Sequence, residues 1–435
     1  MRDGCQPAPA RGIGRCHDVE VVDHLGVIGQ HDRLDSQVEA EQGGGPHAVW
    51  PAEIGRQRPY PTNDTGAVRP LPITIRAAVL EEVGAPAIIR ELELIEPRVG
   101  EVRVRMLASG VCHSDLHVRD GEWDRPTLIV MGHEGAGLVE AVGPGVTTPR
   151  VGQLVALSWL IPCGACRSCR RGHTWACPDS PSYRHALLDG ETPFRGIRAY
   201  CAIATMAEAA VVPAAAAIPL PGETDPAVAA LIGCCVTTGV GAVLKTAVVP
   251  AGASVAVIGL GGVGLSCIMG SVVADAARII GIDRMAAKLV AASEVGATDT
   301  ILASDDSATT IEALRDLTDG GPDFVFEAIG RTDTAELAIA ALPVGGTAVL
   351  VGMTPLGARA AFEVYPFVDG SRRILGSNYG FAEPAIDFPR YAAWTLDGRL
   401  PVSRLIDRRI RLNDLEGAFS AMRRGEYTRQ IIDFD

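Results

Sequence analysis

Residues 254–264 read SVAVIGLGGVG, an apolar run that passes directly into a glycine-rich turn. A helix-forming stretch follows to about residue 277, and a second apolar run, IIGID, occupies residues 279–283. The order strand, glycine turn, helix, strand is typical of a parallel, doubly wound sheet. Further strands are predicted at residues 324–327 and 347–351, which extends the same pattern.

The glycine spacing in this turn predicts a dinucleotide-binding site. Gly259 and Gly261 allow a tight turn and the close approach of a pyrophosphate, and the helix N-terminus offers amide donors and partial positive charge. An acidic residue is expected about 20 residues farther on, and Asp283 ends the next strand. A carboxylate there accepts hydrogen bonds from ribose hydroxyls and repels a 2′-phosphate, so NAD is favoured over NADP, although Arg284 weakens this preference. A glycine turn without a ligand is the alternative.

The rest of the chain has a different texture. Residues 75–236 contain short, alternating, glycine-punctuated segments, which favour strands of a mostly antiparallel barrel. Residues 379–435 return to mixed elements and end in a predicted strand at 430–434. The sequence therefore predicts an α/β protein with a mostly-β domain at 75–236, a doubly wound cofactor domain at 237–378 and a return to the first domain at 379–435. Residues 1–74 are expected to be a poorly ordered extension or a mis-started segment.

Composition excludes several classes of function. The 435 residues are 47% hydrophobic and 21% charged, which is typical of a globular protein of two or three domains. A formal net charge of −13 argues against nucleic-acid or anionic-membrane partners. The apolar pattern predicts no run near the ~20 residues that span a bilayer, and no secretory signal.

Four of the 11 cysteines are clustered as Cys163-x-x-Cys166-x-x-Cys169, followed by Cys177. An odd total with this clustering does not fit a disulfide framework and indicates metal ligands in a reducing compartment, hence a cytoplasmic protein. Four thiolates form a closed tetrahedral zinc site, which predicts a structural role. An iron–sulfur cluster is the alternative, but it needs a redox role that nothing else in the sequence suggests.

A second, open metal site is predicted from Cys112, His133 and Cys234, since two cysteines and a histidine are an established zinc set for alcohol oxidation. Asp115 is placed to accept from the imidazole, and Glu134, next to the histidine, is placed to modulate the metal from behind. Each residue taken alone is more often part of an apolar core.

Together these motifs resemble the zinc-dependent medium-chain alcohol dehydrogenases. The resemblance implies a GroES-like catalytic domain, a Rossmann cofactor domain and two zinc ions per subunit. It assigns the catalytic zinc to Cys112, His133 and Cys234, with Cys235 as a substitute for Cys234. It covers essentially residues 75–435 and rests on Gly110–Asp115, Gly132–Gly135, the four-cysteine segment, Ile232–Cys234 and Gly259–Gly264.

The resemblance also implies a reaction and its residues. A primary alcohol is oxidised reversibly to an aldehyde, with hydride transfer to NAD. The hydroxyl of Ser114 and the imidazole of His117 relay the proton. Trp123 and Trp159 either line the substrate pocket or pack the barrel core. The implied cofactor contacts are His113, Thr238, Gly259, Gly261, Gly262, Val263, Gly264, Asp283, Lys288 and Arg429.

Residues 188–194 resemble an insertion of the class I and class III branches, which implies a homodimer, with a tetramer as the alternative. Class III members act on a thiol adduct of formaldehyde, so a glutathione- or mycothiol-dependent formaldehyde dehydrogenase stays open. A non-catalytic dinucleotide-binding protein is expected to lack a zinc ligand or the relay. Both are present here.

Overall fold

The computed structural model describes residues 73–187 and 190–434. The extension expected at 1–74 lies outside these ranges, apart from Ile73 and Thr74. Both residues belong to the first strand, which starts two residues earlier than predicted.

The strands are β1 (Ile73–Leu80), β2 (Ile88–Leu94), β3 (Glu101–Val111), β4 (Ile129–Val130), β5 (Gly135–Val142), β6 (Leu154–Leu157), β7 (Arg198–Ala199), β8 (Ala209–Pro213), β9 (Ala217–Pro219), β10 (Ser254–Ile258), β11 (Arg278–Asp283), β12 (Asp299–Leu302), β13 (Phe324–Glu327), β14 (Thr347–Leu350), β15 (Arg373–Gly376), β16 (Ile406–Ile410) and β17 (Arg429–Asp433). The α-helices are α1 (His113–Asp120), α2 (Arg167–Arg170), α3 (Pro226–Leu231), α4 (Thr237–Gly241), α5 (Gly262–Val273), α6 (Ala286–Glu294), α7 (Ser307–Thr318), α8 (Thr332–Ala340), α9 (Val364–Asp369), α10 (Pro384–Leu396) and α11 (Leu415–Arg423). π-Helical segments lie at Ile232–Val236 and Ala242–Ala247, and 3₁₀ turns include Pro181–Arg184, Tyr200–Ala202 and Tyr379–Phe381.

The first domain consists mainly of two sheets. One has the order β2-β1-β4-β7, and the other has the order β16-β17-β3-β5-β6-β9 with β8 paired to β3. In β3 the side chains of Val102, Val104 and Met106 are fully buried, whereas Arg103 and Arg105 between them are half-buried. This period of two directs one face of the strand into the core, as the sequence alternation predicts.

Residues 254–376 form the parallel sheet that the glycine-rich segment predicts. Its order is β12-β11-β10-β13-β14-β15, and each pairing is parallel. The strand order reverses between β10 and β13, which is where doubly wound sheets bind ligands. The predicted α/β class is confirmed.

A long apolar helix connects the two domains. The helical residues Pro226–Ala247 number 22, and their most apolar window has a mean hydropathy of 2.1. The prediction that no apolar run approaches a membrane span is therefore wrong by length and composition. However, 94% of that window is buried inside the protein. Small residues allow this packing, since a Cβ at Gly239 would lie 2.4 Å from the Val263 carbonyl oxygen. The expected domain boundary at residue 236 falls within this helix.

The C-terminal segment returns to the first domain. β17 pairs in parallel with β16 and antiparallel with β3, so that Gln430 lies opposite Val111. This pairing brings Arg429, at the start of the last strand, beside the end of β3.

Candidate active site and metal centres

Two thiols, an imidazole and a carboxylate meet at the end of β3. Cys112 is the N-cap of α1, His133 and Glu134 stand between β4 and β5, and Cys234 lies in the π-helical segment that follows α3. Their ligand atoms lie within 4.8 Å of one another, and all four residues are buried. The Sγ of Cys234 is 3.5 Å from Nε2 of His133. The fold thus brings together residues that are up to 122 positions apart in the chain.

Asp115 fixes the orientation of His133. Its Oδ1 lies 3.1 Å from Nδ1 of His133, and its Oδ2 accepts from the backbone N–H of Cys112 at 3.2 Å. With Nδ1 held by the carboxylate, Nε2 faces the thiols. Burial lowers the pKa of His133, but the charges of Asp115 and Cys112 outweigh it and raise that pKa well above its ordinary value. The hydrogen bond from Cys234, together with nearby positive charge, lowers the pKa of the Cys112 thiol well below its usual value, which favours the metal-binding thiolate.

Glu134 is paired on one side only. Its Oε2 contacts Nη2 of Arg429 in a buried ion pair, whereas its Oε1 is buried without a hydrogen-bond partner in the described part of the chain. Gly110 makes room for the carboxylate, because a Cβ there would lie 1.9 Å from Oε2. A buried oxygen without a donor is costly unless a cation lies nearby. The carboxylate of Glu134 and the two thiols and imidazole grouped with it fit an open zinc site.

Cys235 points away from this group. Its Sγ donates to the carbonyl of Leu231 at 3.7 Å, and the residue is fully buried in the apolar core. Burial raises the pKa of the Cys235 thiol. Of the two adjacent cysteines that the sequence offered, Cys234 is the one that reaches His133.

The four clustered cysteines form a second group, with sulfur atoms within 4.8 Å of one another and no disulfide. Backbone N–H groups point at the sulfurs. The N–H of Cys163 donates to Cys177 at 3.3 Å, and that of Cys166 donates to Cys163 at 3.3 Å. The N–H of Cys169 donates to Cys166 at 3.4 Å and is the main cause that lowers the pKa of Cys166 to about 7. Four soft donors without an open position fit a structural zinc ion.

The glycine turn leaves one place open for a ligand. A Cβ at Gly264 would lie 1.7 Å from the carbonyl oxygen of Gly259, and one at Gly262 would lie 2.4 Å from Cδ of Arg429. A Cβ at Gly261 meets nothing within 4 Å. The open space at Gly261, just before the N-terminus of α5, suits the close approach of a pyrophosphate.

Asp283 holds this turn from the end of β11. Its Oδ2 accepts from the N–H of Leu260 at 2.9 Å, and its Oδ1 accepts from the N–H of Met285 at 3.0 Å. The Nζ of Lys288 lies 3.8 Å from Oδ2. Arg284 forms an exposed ion pair with Asp305. The acid rather than the following arginine therefore faces the nucleotide turn.

One cleft of about 1110 Å³ reaches both regions. Its walls include the candidate zinc ligands Cys112, His133 and Cys234, together with Thr238 of α4 and Val263 at the glycine turn. The other predicted residues that line it are His113, Ser114, His117, Trp123 and Trp159.

Both indoles line the cleft and also pack against their neighbours, and their role in a substrate pocket stays a prediction. Trp123 is buried, stacks on His117 with ring centroids 4.7 Å apart, and donates to the carbonyl of Thr354 at 3.3 Å. Trp159 packs against Tyr379 with centroids 4.3 Å apart.

The two expected relay residues, Ser114 and His117, lie on the same helix, α1. The Nδ1 of His117 contacts the carboxylate of Glu122, a partner that the sequence analysis did not predict. Within residues 73–187 and 190–434 no hydrogen bond joins Ser114 to His117. Transfer of a proton between them therefore requires an intervening hydroxyl or water.

Two tyrosines near the metal-binding group were missed. The hydroxyl of Tyr379 donates to the carbonyl of Gly233 at 2.5 Å, next to Cys234, and the ring of Tyr200 stands edge-on to His133 with centroids 5.6 Å apart. Both rings are buried. The residues on either side of each tyrosine in the sequence do not differ from those of an ordinary apolar segment. No spacing signal distinguishes them from core aromatics.

Comparison with known proteins agrees with this geometry. Residues 98–222 match the alcohol dehydrogenase GroES-like domain, and residues 262–396 match the zinc-binding dehydrogenase domain. The crystal structure of an alcohol dehydrogenase zinc-binding domain protein from Burkholderia ambifaria is 34% identical, with a TM-score of 0.79 over 83% of this chain and 99% of that chain. The chain belongs to the zinc-binding alcohol dehydrogenase family.

Other members of the family are similar over the same span. Benzyl alcohol dehydrogenase from Acinetobacter calcoaceticus is 29% identical, with a TM-score of 0.79. The match covers 83% of this chain and 100% of that chain. A zinc-binding dehydrogenase from Sinorhizobium meliloti 1021, bound to NADP, is 27% identical, with a TM-score of 0.71 over 83% and 100%. The GroES-like and doubly wound domains expected of a zinc-binding dehydrogenase are confirmed.

Proposed function

We propose that this zinc-binding dehydrogenase oxidises a primary alcohol reversibly to an aldehyde, with NAD as the hydride acceptor. One observation carries the proposal: the Cys112–His133–Cys234 group and the Val263 end of the glycine turn open into the same cleft. When bound, zinc supplies Lewis acidity toward the alcohol or aldehyde oxygen, and the dinucleotide supplies the hydride acceptor. A second zinc ion, held by the four-cysteine segment, serves stability.

The side chains around the cleft position the reactants and move the proton. Asp115 holds His133 so that Nε2 faces the thiols, and Trp123 and Trp159 line the cleft with apolar surface beside this group. The proton released from the alcohol passes by way of Ser114 and an intervening hydroxyl or water to His117, which is 18% exposed. The adjacent Glu122 carboxylate contacts Nδ1 of His117 and holds the orientation of the ring.

The residues at the turn support NAD rather than NADP. The carboxylate of Asp283 is fixed against the turn by two backbone N–H groups, and a 2′-phosphate there would meet its negative charge. Arg284, which would favour the phosphate, is engaged by Asp305. The family contains a NADP-bound member, so this preference belongs to the chain rather than to the fold.

Our proposals for branch, assembly and compartment rest on the sequence alone. The resemblance of residues 188–194 to the class I and class III insertion supports a homodimer of that branch, with a tetramer as the alternative, and the clustered cysteines support a cytoplasmic location.

The first assay is the formation of NADH by the zinc-loaded protein with ethanol, hexanol and benzyl alcohol. The same assay uses formaldehyde with and without glutathione or mycothiol. Turnover of free alcohols without a thiol is the expected result, with benzyl alcohol preferred because the cleft is lined by Trp123, Trp159 and Tyr200. Activity that requires both formaldehyde and a thiol would move the assignment to a thiol-adduct formaldehyde dehydrogenase. Dinucleotide binding without turnover of any substrate would indicate a non-catalytic protein.

A further inference from the structure

One wall of the cleft carries an excess of positive charge. Its lining includes Arg125, Arg184 and Arg198, and Asp124 is the acidic residue beside them. We propose that these three arginines, which we term the arginine rim, select alcohols and aldehydes that carry a carboxylate at the end remote from the reacting group. This inference rests on the proposed function and names its substrate class.

The charges of the arginine rim are not neutralised by the described protein. Nη1 of Arg125 donates to the backbone carbonyl of Asp124 at 2.8 Å, and Nη1 of Arg198 donates to the backbone carbonyl of Arg184 at 3.0 Å. Neither these two guanidinium groups nor that of Arg184 has a carboxylate within ion-pair distance in residues 73–187 and 190–434. Elsewhere many arginines of this acidic chain are paired, for example Arg195 with Glu93 at 2.7 Å.

A short series of rings connects the arginine rim to the metal-binding group. The ring of Tyr200 lies 5.6 Å from that of His133, and the ring of His185 lies 5.6 Å from that of Tyr200. Burial and the positive charges of Arg125 and Arg198 lower the pKa of His185 to about 4. The fields of both arginines therefore reach the cleft side of His185, two ring separations from the site of reaction.

The chemistry of this wall matches an aromatic or extended molecule with an anionic end. A guanidinium group offers two parallel donors that fit the two oxygens of a carboxylate. The rings between the arginine rim and the metal-binding group favour an aryl spacer. A local positive rim also attracts an anion into a protein whose net charge of −13 would otherwise repel it.

Matched substrates test the inference. The zinc-loaded enzyme is assayed with 4-(hydroxymethyl)benzoate and its neutral isostere 4-(hydroxymethyl)benzamide. A second, longer pair consists of 4-(hydroxymethyl)cinnamate and 4-(hydroxymethyl)cinnamamide. We expect kcat/KM for the better carboxylate to exceed that of its amide by about tenfold or more at low salt. The ratio is expected to fall as sodium chloride screens the charges. A ratio of one or below for both lengths would overturn the proposal, as would preference for 4-(hydroxymethyl)phenyl phosphate over both carboxylates.

Arginine variants then locate the effect. Arg125→Gln and Arg198→Gln are each expected to lower the carboxylate-to-amide ratio severalfold and to flatten its salt dependence. The matched control is Arg195→Gln, which removes an exposed arginine that is already paired with Glu93 outside the cleft wall. It is expected to leave the ratio unchanged. An equal fall in all three variants, or none in the rim variants, would contradict the assignment.

A binding measurement separates this inference from the proposed function. If none of the alcohols is oxidised, the proposed function fails, and calorimetry of 4-(hydroxymethyl)benzoate against the benzamide still tests the arginine rim. If the carboxylate binds in a salt-sensitive way and Arg198→Gln weakens that binding, the arginine rim is supported even though the proposed reaction is not. Equal binding of the two compounds would overturn it.

Discussion

The guanidinium group of Arg429 contacts the carboxylate of Glu134, and this buried pair ties the last strand of the chain to the metal-binding group. The same arginine packs its Cδ against Gly262 at the start of α5. One side chain from β17 therefore touches both the metal-binding group and the nucleotide turn. The C-terminal strand is part of the site even though it lies about 300 residues after the first metal-binding residue in sequence.

Replacing Arg429 is expected to cost stability and cofactor affinity together. Glu134 has no exposed surface, so Arg429→Gln leaves its carboxylate buried and without a counter-charge. Breaking such a pair costs about 3 kcal/mol or more. Urea unfolding of the zinc-loaded variant measures this loss, and titration with NADH measures the weaker binding.

The control for this variant is Arg409→Gln on the neighbouring strand β16. Arg409 pairs with Asp433 and Asp225, but its side chain is 48% exposed, so its loss is expected to cost less than about 1 kcal/mol. A loss for Arg429→Gln no larger than that of this control would show that the buried pair does not stabilise the fold.

The two adjacent cysteines are expected to behave differently. Cys234→Ser removes a sulfur from the group at His133, so the purified protein should hold one zinc ion per chain instead of two and lose alcohol oxidation. Cys112→Ser is expected to do the same while NADH binding is kept. Cys235→Ser should keep both ions and most of the activity, because its thiol donates to the carbonyl of Leu231 and is buried in the apolar core rather than in the group at His133. The zinc content of each variant is measured by mass spectrometry, and turnover is measured on the same samples. Loss of zinc from Cys235→Ser would refute this assignment.

The four-cysteine segment is expected to contribute to stability rather than to chemistry. Cys166→Ser opens the closed group, and the variant should lose one zinc ion and on the order of 3 kcal/mol of stability. At a temperature where the variant stays folded, KM for the alcohol should be unchanged. A changed KM with unaltered unfolding would place this segment in the active site instead.

The order of motifs made most of the fold predictable. The strand at residues 324–327 begins and ends as predicted, since a largely buried parallel strand appears as a short apolar run between turn residues. The grouping of Cys112, His133 and Cys234 was predictable because metal chemistry restricts residue type as well as position. Glu134 was flagged only through its neighbour, and its pairing with Arg429 was not foreseen.

Other features left no trace in the local sequence. The helix from Pro226 to Ala247 was not foreseen as one apolar element, because its glycines, threonines and cysteines obscure a run that only the surrounding core makes continuous. The contact of Glu122 with His117 depends on the left-handed Gly121, which ends α1 and turns the chain back on itself. The arginine rim unites residues from 125 to 198, and periodicity carries no information about such separations.

Cofactor choice is expected to depend on one carboxylate. Asp283→Asn keeps an acceptor for the N–H of Leu260 but removes the negative charge that a 2′-phosphate would meet. We expect the ratio of kcat/KM for NAD to that for NADP to fall by about tenfold, since charge pairs of this kind are worth about 1–2 kcal/mol. Steady-state kinetics with both cofactors measure the ratio. An unchanged ratio would show that another residue excludes the phosphate.

His185 is expected to make the protein less stable in mild acid. Its pKa is lowered to about 4 by burial and by Arg125 and Arg198, against 6.5 in an unfolded chain. Between these values the unfolded state binds a proton that the folded state does not, so stability is complete above pH 6.5 and falls as the pH drops toward 4. The contribution of His185 to this loss is on the order of 3 kcal/mol.

A variant isolates this contribution from the carboxylates that also titrate in acid. His185→Asn keeps an acceptor for the N–H of Cys201, which His185 Nδ1 now holds at 3.1 Å, and asparagine tolerates the positive φ of 53° at this position. The variant should therefore lose less stability than the parent between pH 6.5 and 4, in urea unfolding of both proteins at a series of pH values. Parallel curves for the two proteins over that range would show that His185 is protonated as easily in the folded protein as in the unfolded chain. In that case the charges of Arg125 and Arg198 would not reach the imidazole, and the electrostatic support for the arginine rim would be removed.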